Sequence, residues 1–216
     1  KGGAPRRLID HSIGPVWEAN HVWLIYVLVF LWTAFPRPFV AIMTTLFVPF
    51  ALAAGGIVLR GAGFAFRKFA GTLEQARLYG AIFASSSVIT PFFLGAVAGA
   101  IASGRVPEEG YGDVWTSWTG PTSVLGGVLA VLTCAFLAAT FLAAEAHRGD
   151  DLPLARQLGR RALVTGAAAG VVALVGVLVI ETDAPTLASH LHGRAVPIIA
   201  GSAIAGGAAL WLLWSE

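Results

Sequence analysis

The sequence predicts an all-α, polytopic transmembrane bundle. Three observations lead there. Hydrophobic residues make up 56% and charged residues 12% of the 216 positions, and the mean hydropathy is +0.76, more apolar surface than a soluble domain of this length can bury. Six apolar segments recur, at about 16–35, 38–59, 79–103, 121–144, 162–180 and 195–214, each near the ~20 residues that cross a ~30 Å hydrocarbon core. The basic residues then sort by loop. Lys1, Arg6, Arg7, Arg60, Arg67, Lys68, Arg77, Arg148, Arg156, Arg160 and Arg161 fall on one predicted side, and Arg37, Arg105 and Arg194 on the other, 11 against 3 of the 14 Lys and Arg.

The first segment is the shortest. His21 to Phe35 alone would span only about 23 Å at ~1.5 Å per residue, so the helix is predicted to start near Pro15, with Ser12 or Gly14 closing the preceding loop. Pro36-Arg37 is then a short turn, and 38–59 returns antiparallel to 16–35. Pro49, Pro91 and Pro197 are candidate kinks. Gly95 with Gly99, and Gly166 with Gly170, are small-xxx-small pairs suited to close helix approach. Trp17, Trp23, Trp32, Trp115, Trp118, Trp211 and Trp214 lie near segment ends, as an aromatic belt requires. Six spans put both ends on the Arg-rich side, which the positive-inside rule makes cytoplasmic, in an inner membrane. The whole chain, 1–216, is read as one transmembrane domain.

Other classes are excluded. A net charge of +2 with membrane-like composition gives no nucleic-acid surface, and the lone Cys134 rules out an internal disulfide or a cysteine metal cluster. No cleavable signal-peptide pattern opens the chain, and Lys at position 1 suggests that this is not the translation start. There is no nucleotide loop, hydrolase elbow or zinc spacing.

Two polar patches stand out. Gly14-Pro15-Val16-Trp17-Glu18-Ala19-Asn20-His21-Val22-Trp23 puts an acid and an amide at the mouth of an apolar helix, and Arg60-Gly61-Ala62-Gly63-Phe64-Ala65-Phe66-Arg67 follows the second segment. Ionisable groups at a membrane boundary are functional candidates. In an antiparallel hairpin Glu18 and Arg60 reach the same level. They then pair, or face a buried polar site supplied by another subunit, or stay solvated with Arg60 snorkelling to phosphates. A carboxylate in a low-dielectric site has a raised pKa and can pass protons. His21, at i+3 from Glu18, is either a relay partner or metal ligand, or an imidazole bonded to a backbone carbonyl. His190-Leu191-His192 with Asp183 reads as a polar loop before a metal site. Ser85-Ser86-Ser87 and Thr90 beside Pro91 either bond their own helix or line a polar path. The histidines offer no axial pair for an intramembrane haem, so neither haem nor metal is expected in this chain.

Taken in order and spacing, these patches resemble subunit II of the cytochrome bd ubiquinol oxidase family. Ser12-Ile13-Gly14-Pro15-Val16-Trp17-Glu18-Ala19-Asn20-His21-Val22-Trp23-Leu24 is similar to its S-I-x-P-x-W-D-G-N-x-V-W-L element. Ala34-Phe35-Pro36 is similar to its A-[FW]-P turn, and Leu59-Arg60 to Arg67 to its L-x-R-G-V-x-F-E-F-R element. The detailed likeness covers about residues 8–68. Departures include Glu18 for Asp, Ala19 for Gly, His21 for Glu, Gln or Thr, and Ala65 in place of an acid.

The resemblance implies a two-times-four-helix architecture from which this chain lacks the first and last helices. It implies a partner, subunit I, that holds two b-type haems and one d-type haem, oxidises quinol and reduces oxygen to water, while subunit II binds no haem and contributes to proton delivery from the cytoplasm. Glu18 then stands at the relay carboxylate and Arg60 at the electrostatic partner near the subunit interface. Trp17, Asn20, His21 and Arg67 shape the same region. Membrane lipids complete the expected surroundings. A transporter or channel subunit, with its path along Ser85 to Thr90, and a structural assembly subunit are the alternative readings.

Overall fold

The computed structural model describes residues 3–108, 110–191 and 196–215; side chains at 3–7, 10, 11, 13–18, 21, 190 and 215 lie outside that description. Among the described residues every regular element is helical. In order they are α1 (Gly3–Ala34), α2 (Pro36–Thr45), α3 (Phe47–Arg67), α4 (Leu73–Ala102), α5 (Pro121–Arg148), α6 (Leu152–Asp183), α7 (Pro185–Leu191) and α8 (Val196–Ser215). Five of them are long and apolar enough to cross a membrane, and a sixth span results if Val22–Ala34 and Pro36–Thr45, sharply bent at Phe35, count as one. The chain is a multi-pass helical membrane protein.

The apolar segments fall where hydropathy predicts, but the helices outrun them. α1 begins at Gly3, so Pro15 lies inside it and not at its first turn; Pro5 takes the first-turn place, where a missing N–H is harmless. The extension is held by packing, since Leu8 rests against the buried cluster of Ala146, Leu154 and Leu158. Similarly, the predicted loops 60–78 and 145–161 are mostly helix. α3 runs on to Arg67 and α6 starts at Leu152. Hydropathy marks where a helix leaves hydrocarbon, not where it ends. The predicted span 38–59 is divided at Leu46. Pro49 cannot donate to the Thr45 carbonyl and its ring crowds it, which separates α2 from α3, although Leu46 N–H still reaches the Ile42 carbonyl at 2.9 Å.

Two compact units result. One comprises residues 1–39, 132–171 and 194–216; the other comprises 40–131 and 172–193. In the first, the end of α5 and the start of α6 pack as an antiparallel hairpin through Ala146, Leu154 and Leu158. Gly166 lies close to Leu210 and Phe136, whereas a side chain at Gly170 would meet nothing within 4 Å.

In the second unit, α4 is the central element. A Cβ on Gly95 would collide with the Gly126 carbonyl, and one on Gly99 with the Thr122 carbonyl, so α4 and α5 touch backbone to backbone. Only glycine permits that approach. On its other flank α4 meets α3. Gly56 faces the Thr90 hydroxyl, and a Cβ on Gly63 would sit 3.0 Å from the Tyr79 carbonyl oxygen. Leu46, Val97 and Ala100 form the buried apolar centre, with Ile42, Phe50, Val106 and Trp118 packed around it.

The turn between α3 and α4 is short because α4 starts with a reciprocal cap. The Thr72 hydroxyl accepts the Gln75 N–H at 3.2 Å, and the Gln75 side chain accepts the Thr72 N–H at 3.3 Å.

Candidate functional site

The Arg60–Arg67 patch is the last two turns of α3. Its residues at i, i+4 and i+7 (Arg60, Phe64 and Arg67) share one helix face. The chemistry of the patch follows from its glycine. Gly63 lets α3 approach the backbone of α4 at Tyr79 and Phe83, and aromatic rings then close over the contact. Phe64 and Phe83 lie 6.3 Å apart, and Phe66 and Tyr79 lie 5.9 Å apart, centroid to centroid. The half-buried Arg60 guanidinium sits 5.4 Å from the centre of the Phe83 ring, and Lys68 lies 4.7 Å from that of Phe64. Both cations thus rest on ring faces, whose quadrupole holds positive charge. Arg67, also half-buried, occupies the last turn of α3, where the carbonyl end of the helix favours a cation.

The other patch lies on α1. Residues 12–24 are continuous helix, so Glu18 and His21 stand one turn apart as their spacing predicts. Asn20 is exposed. The side chains of Trp17, Glu18 and His21 lie outside the described residues, and so do the alternatives for Glu18 and Arg60, direct pairing among them.

A third polar group joins Asp183, read from sequence as part of a polar loop with His190 and His192, to residues that reading did not connect with it. Asp183, at the end of α6, accepts two hydrogen bonds from the Arg105 guanidinium, one of them at 3.0 Å, and two from Thr122, from its N–H at 2.9 Å and from its hydroxyl. The carboxylate therefore satisfies the open N-terminus of α5 just after Pro121, and a fork-shaped cation neutralises it. The guanidinium lies over Gly120, where any Cβ would collide with it. Hydrogen bonding to Asp183 holds Arg105 more firmly protonated than usual. Nearby, the buried Thr45 hydroxyl accepts the Gly112 N–H at 2.9 Å and ties the α4–α5 loop to the end of α2. Asp113, in that loop, accepts from the Thr116 N–H and hydroxyl and from the Trp115 N–H; the Thr116 N–H foremost holds its carboxyl below the usual range.

The remaining candidates resolve simply. Ser85 bonds the Ile82 carbonyl at 3.1 Å; Ser86 and Ser87 bond that of Phe83 at 3.0 and 2.6 Å. The serines bond carbonyls of their own helix. The Thr90 hydroxyl is buried with no hydrogen-bond partner. Asp183 is committed to Arg105 and Thr122; the side chains of His190 and His192 lie outside the described residues. Among the described residues no group of three or more His, Cys, Asp or Glu could hold a metal ion, and His147 is exposed at the end of α5.

The family described as cytochrome bd terminal oxidase subunit II matches the chain over residues 1–216. The chain belongs to that family. It is also 28% identical over 132 residues to cytochrome bd ubiquinol oxidase subunit 2 of Bacillus subtilis (strain 168), an alignment that takes in 60% of this chain and 39% of that relative. The chain thus spans about two-fifths of the length of the curated relative it matches. Within this family Gly63 and Arg60 have a local rationale: the glycine sets the α3–α4 contact, and the arginine rests on the aromatic ring that the contact supplies.

Proposed function

We propose that this chain is the non-haem subunit of a bd-type quinol:oxygen oxidoreductase complex. In this reading it supports a haem-bearing subunit I, which holds the two b-type haems, the d-type haem and the quinol site. It also contributes to proton delivery from the cytoplasmic side for the reduction of oxygen to water. Both chain ends face the cytoplasm, in keeping with the arginine distribution. Glu18 is the relay carboxylate, and Arg60 the electrostatic partner at the subunit interface. Asn20, Trp17, His21 and Arg67 shape their surroundings.

The observation that carries the reading is the family match over the whole chain, with an acid kept at position 18 of α1 and an arginine kept at position 60 of α3. A carboxylate at a membrane boundary exchanges protons when its pKa is moved toward neutrality. Extending the acid by one methylene preserves that chemistry.

The test begins with the tagged chain purified gently from native membranes and a reduced-minus-oxidised visible spectrum. Bands of b- and d-type haem, with a larger subunit alongside, are expected; a colourless chain from membranes that show those bands would overturn the oxidase reading. In the coloured complex, Glu18→Ala should lower oxygen turnover on the order of a hundredfold, in the range of general acid–base catalysis, with the haem bands retained. Wild-type turnover in that variant would remove Glu18 from the relay.

A further inference from the structure

α6 has 32 residues, or about 48 Å at ~1.5 Å per residue, against a hydrocarbon core of ~30 Å. Its apolar run starts at Ala162 and is interrupted only by Thr165, whose hydroxyl bonds its own helix, so residues 152–161 stand in the headgroup zone. The orientation of this stretch is fixed by packing: Leu154, Leu158 and Ala162 are buried, the two leucines against the end of α5. Arg156 and Arg160 lie about half a turn away and are exposed, with exposed Arg161 beside them. The same face continues as bare hydrocarbon in Val164, 67% exposed, and Val171, 61% exposed.

Like charges at i and i+4 repel, yet Arg156 and Arg160 are stacked with no acid between them. Among the described residues neither they nor Arg161 makes an ion pair or a side-chain hydrogen bond. The nearby acids do not supply one. Glu145 is paired with Arg148, Asp151 accepts the Leu154 N–H at 3.2 Å as the cap of α6, and Asp150 lies in the turn before it.

We infer that Arg156 and Arg160, flanked by Arg161, bind the phosphate of an anionic phospholipid whose acyl chains lie along Val164 and Val171. Charge complementarity selects the headgroup, and the continuity of cation pair and apolar stripe on one helix face selects a lipid over a soluble anion. The inference requires only that α6 crosses a bilayer and stands apart from the oxidase reading.

The experiment uses the full chain with its native partners, reconstituted in nanodiscs of phosphatidylcholine with or without phosphatidylglycerol, with retained lipid counted by native mass spectrometry. The wild type should retain phosphatidylglycerol in preference to phosphatidylcholine. The double substitution Arg156→Gln, Arg160→Gln should weaken retention by roughly 25-fold, about fivefold for each arginine near an anionic surface, and Arg→Lys at both sites should keep most of it. Should the double variant fail to fold, Arg160→Gln alone decides, with an expected loss of about fivefold. Equal retention of the two lipids by the wild type, equal phosphatidylglycerol retention in the Gln variants, or loss of a protein partner with lipid retention unchanged would each overturn the inference.

Discussion

The packed pair α3 and α4 and the helix at the carboxyl end are nearly equal in apolarity and opposite in burial. The best membrane-length windows of α3 and α4 are 22% and 28% buried, whereas that of α8 is 0% buried. Yet their mean hydropathies are similar, 1.6 and 1.8 against 1.9. Apolar content makes a helix a membrane helix; it does not make it pack. In lipid the hydrophobic effect gives no preference between a neighbouring helix and an acyl chain, so association depends on close backbone approach and on polar ties. The α3–α4–α5 region has both, in Gly56, Gly63, Gly95, Gly99 and Gly126 and in Arg105, Asp183 and Thr45. In α8, by contrast, a side chain at Gly201, Gly206 or Gly207 would meet nothing within 4 Å.

The sharpest break in that contrast comes from equal substitutions on the two sides. Gly95→Leu should cost about 3 kcal/mol or prevent folding, because the added side chain meets the backbone of α5 and not a movable side chain. Gly206→Leu on α8 should change stability by less than about 0.5 kcal/mol. Thermal unfolding in detergent compares them, and equal losses would mean that the glycines on α4 are not what holds the region together.

Next in size is the polar tie. Arg105→Ala leaves Asp183 with Thr122 alone and should cost about 2 kcal/mol, the scale of a partly buried charge stripped of its partner. Asp183→Asn in the same background should recover part of that loss. If the double variant is no better than the single, Arg105 acts by packing on Gly120 and not by charge.

A smaller effect of opposite sign is expected at Thr90. Its hydroxyl is buried without a partner, so Thr90→Val keeps the shape and should leave stability unchanged or raise it by about 1 kcal/mol. A clear loss of stability would show that the hydroxyl is used.

The smallest effect concerns pH. Asp113 is held below the usual carboxylate range, chiefly by the Thr116 N–H. A depressed carboxyl pKa favours the folded loop above the unfolded value and loses that contribution as pH falls through the folded one. Protection of the Trp115 and Thr116 amides, corrected for the intrinsic pH dependence of exchange, should therefore fall below about pH 4, and Asp113→Asn should abolish that change in protection. An identical profile in that variant would detach the loop from Asp113.

What was legible in the sequence follows the same division. The apolar segments and the Gly95–Gly99 contact were readable because hydropathy and small-residue spacing are local. Gly166 meets side chains from two other helix segments, but Gly170, the other half of its motif, does not, since spacing shows that a contact is possible and not that a neighbour is there. Leu8 was invisible as a packing residue because its partners, Leu154 and Leu158, are distant in sequence. Arg105 and Asp183 are separated by 78 positions, and each resembles an ordinary loop charge until the fold joins them. The division at Leu46 was foreshadowed by Pro49, but its effect, four residues upstream of the proline, was not. At the α1 patch the sequence named Glu18 and Trp17 through their motif; the backbone there is helical, and their side chains lie outside the described residues.

The separation of Arg105 from Asp183 also bears on how the protein is made. At ~5–20 residues per second, 78 residues take about 4–16 s to synthesise. For that interval α4 and the start of α5 are already available for insertion, while the carboxylate that caps one and neutralises the loop of the other does not yet exist. Through that interval the guanidinium at their junction is unmatched, and its tie to Asp183 forms only after the last turn of α6 has been made. A chain truncated before Asp183 would keep the backbone contact of α4 with α5 at Gly95 and Gly126 but lack the carboxylate that ties their loop to α6.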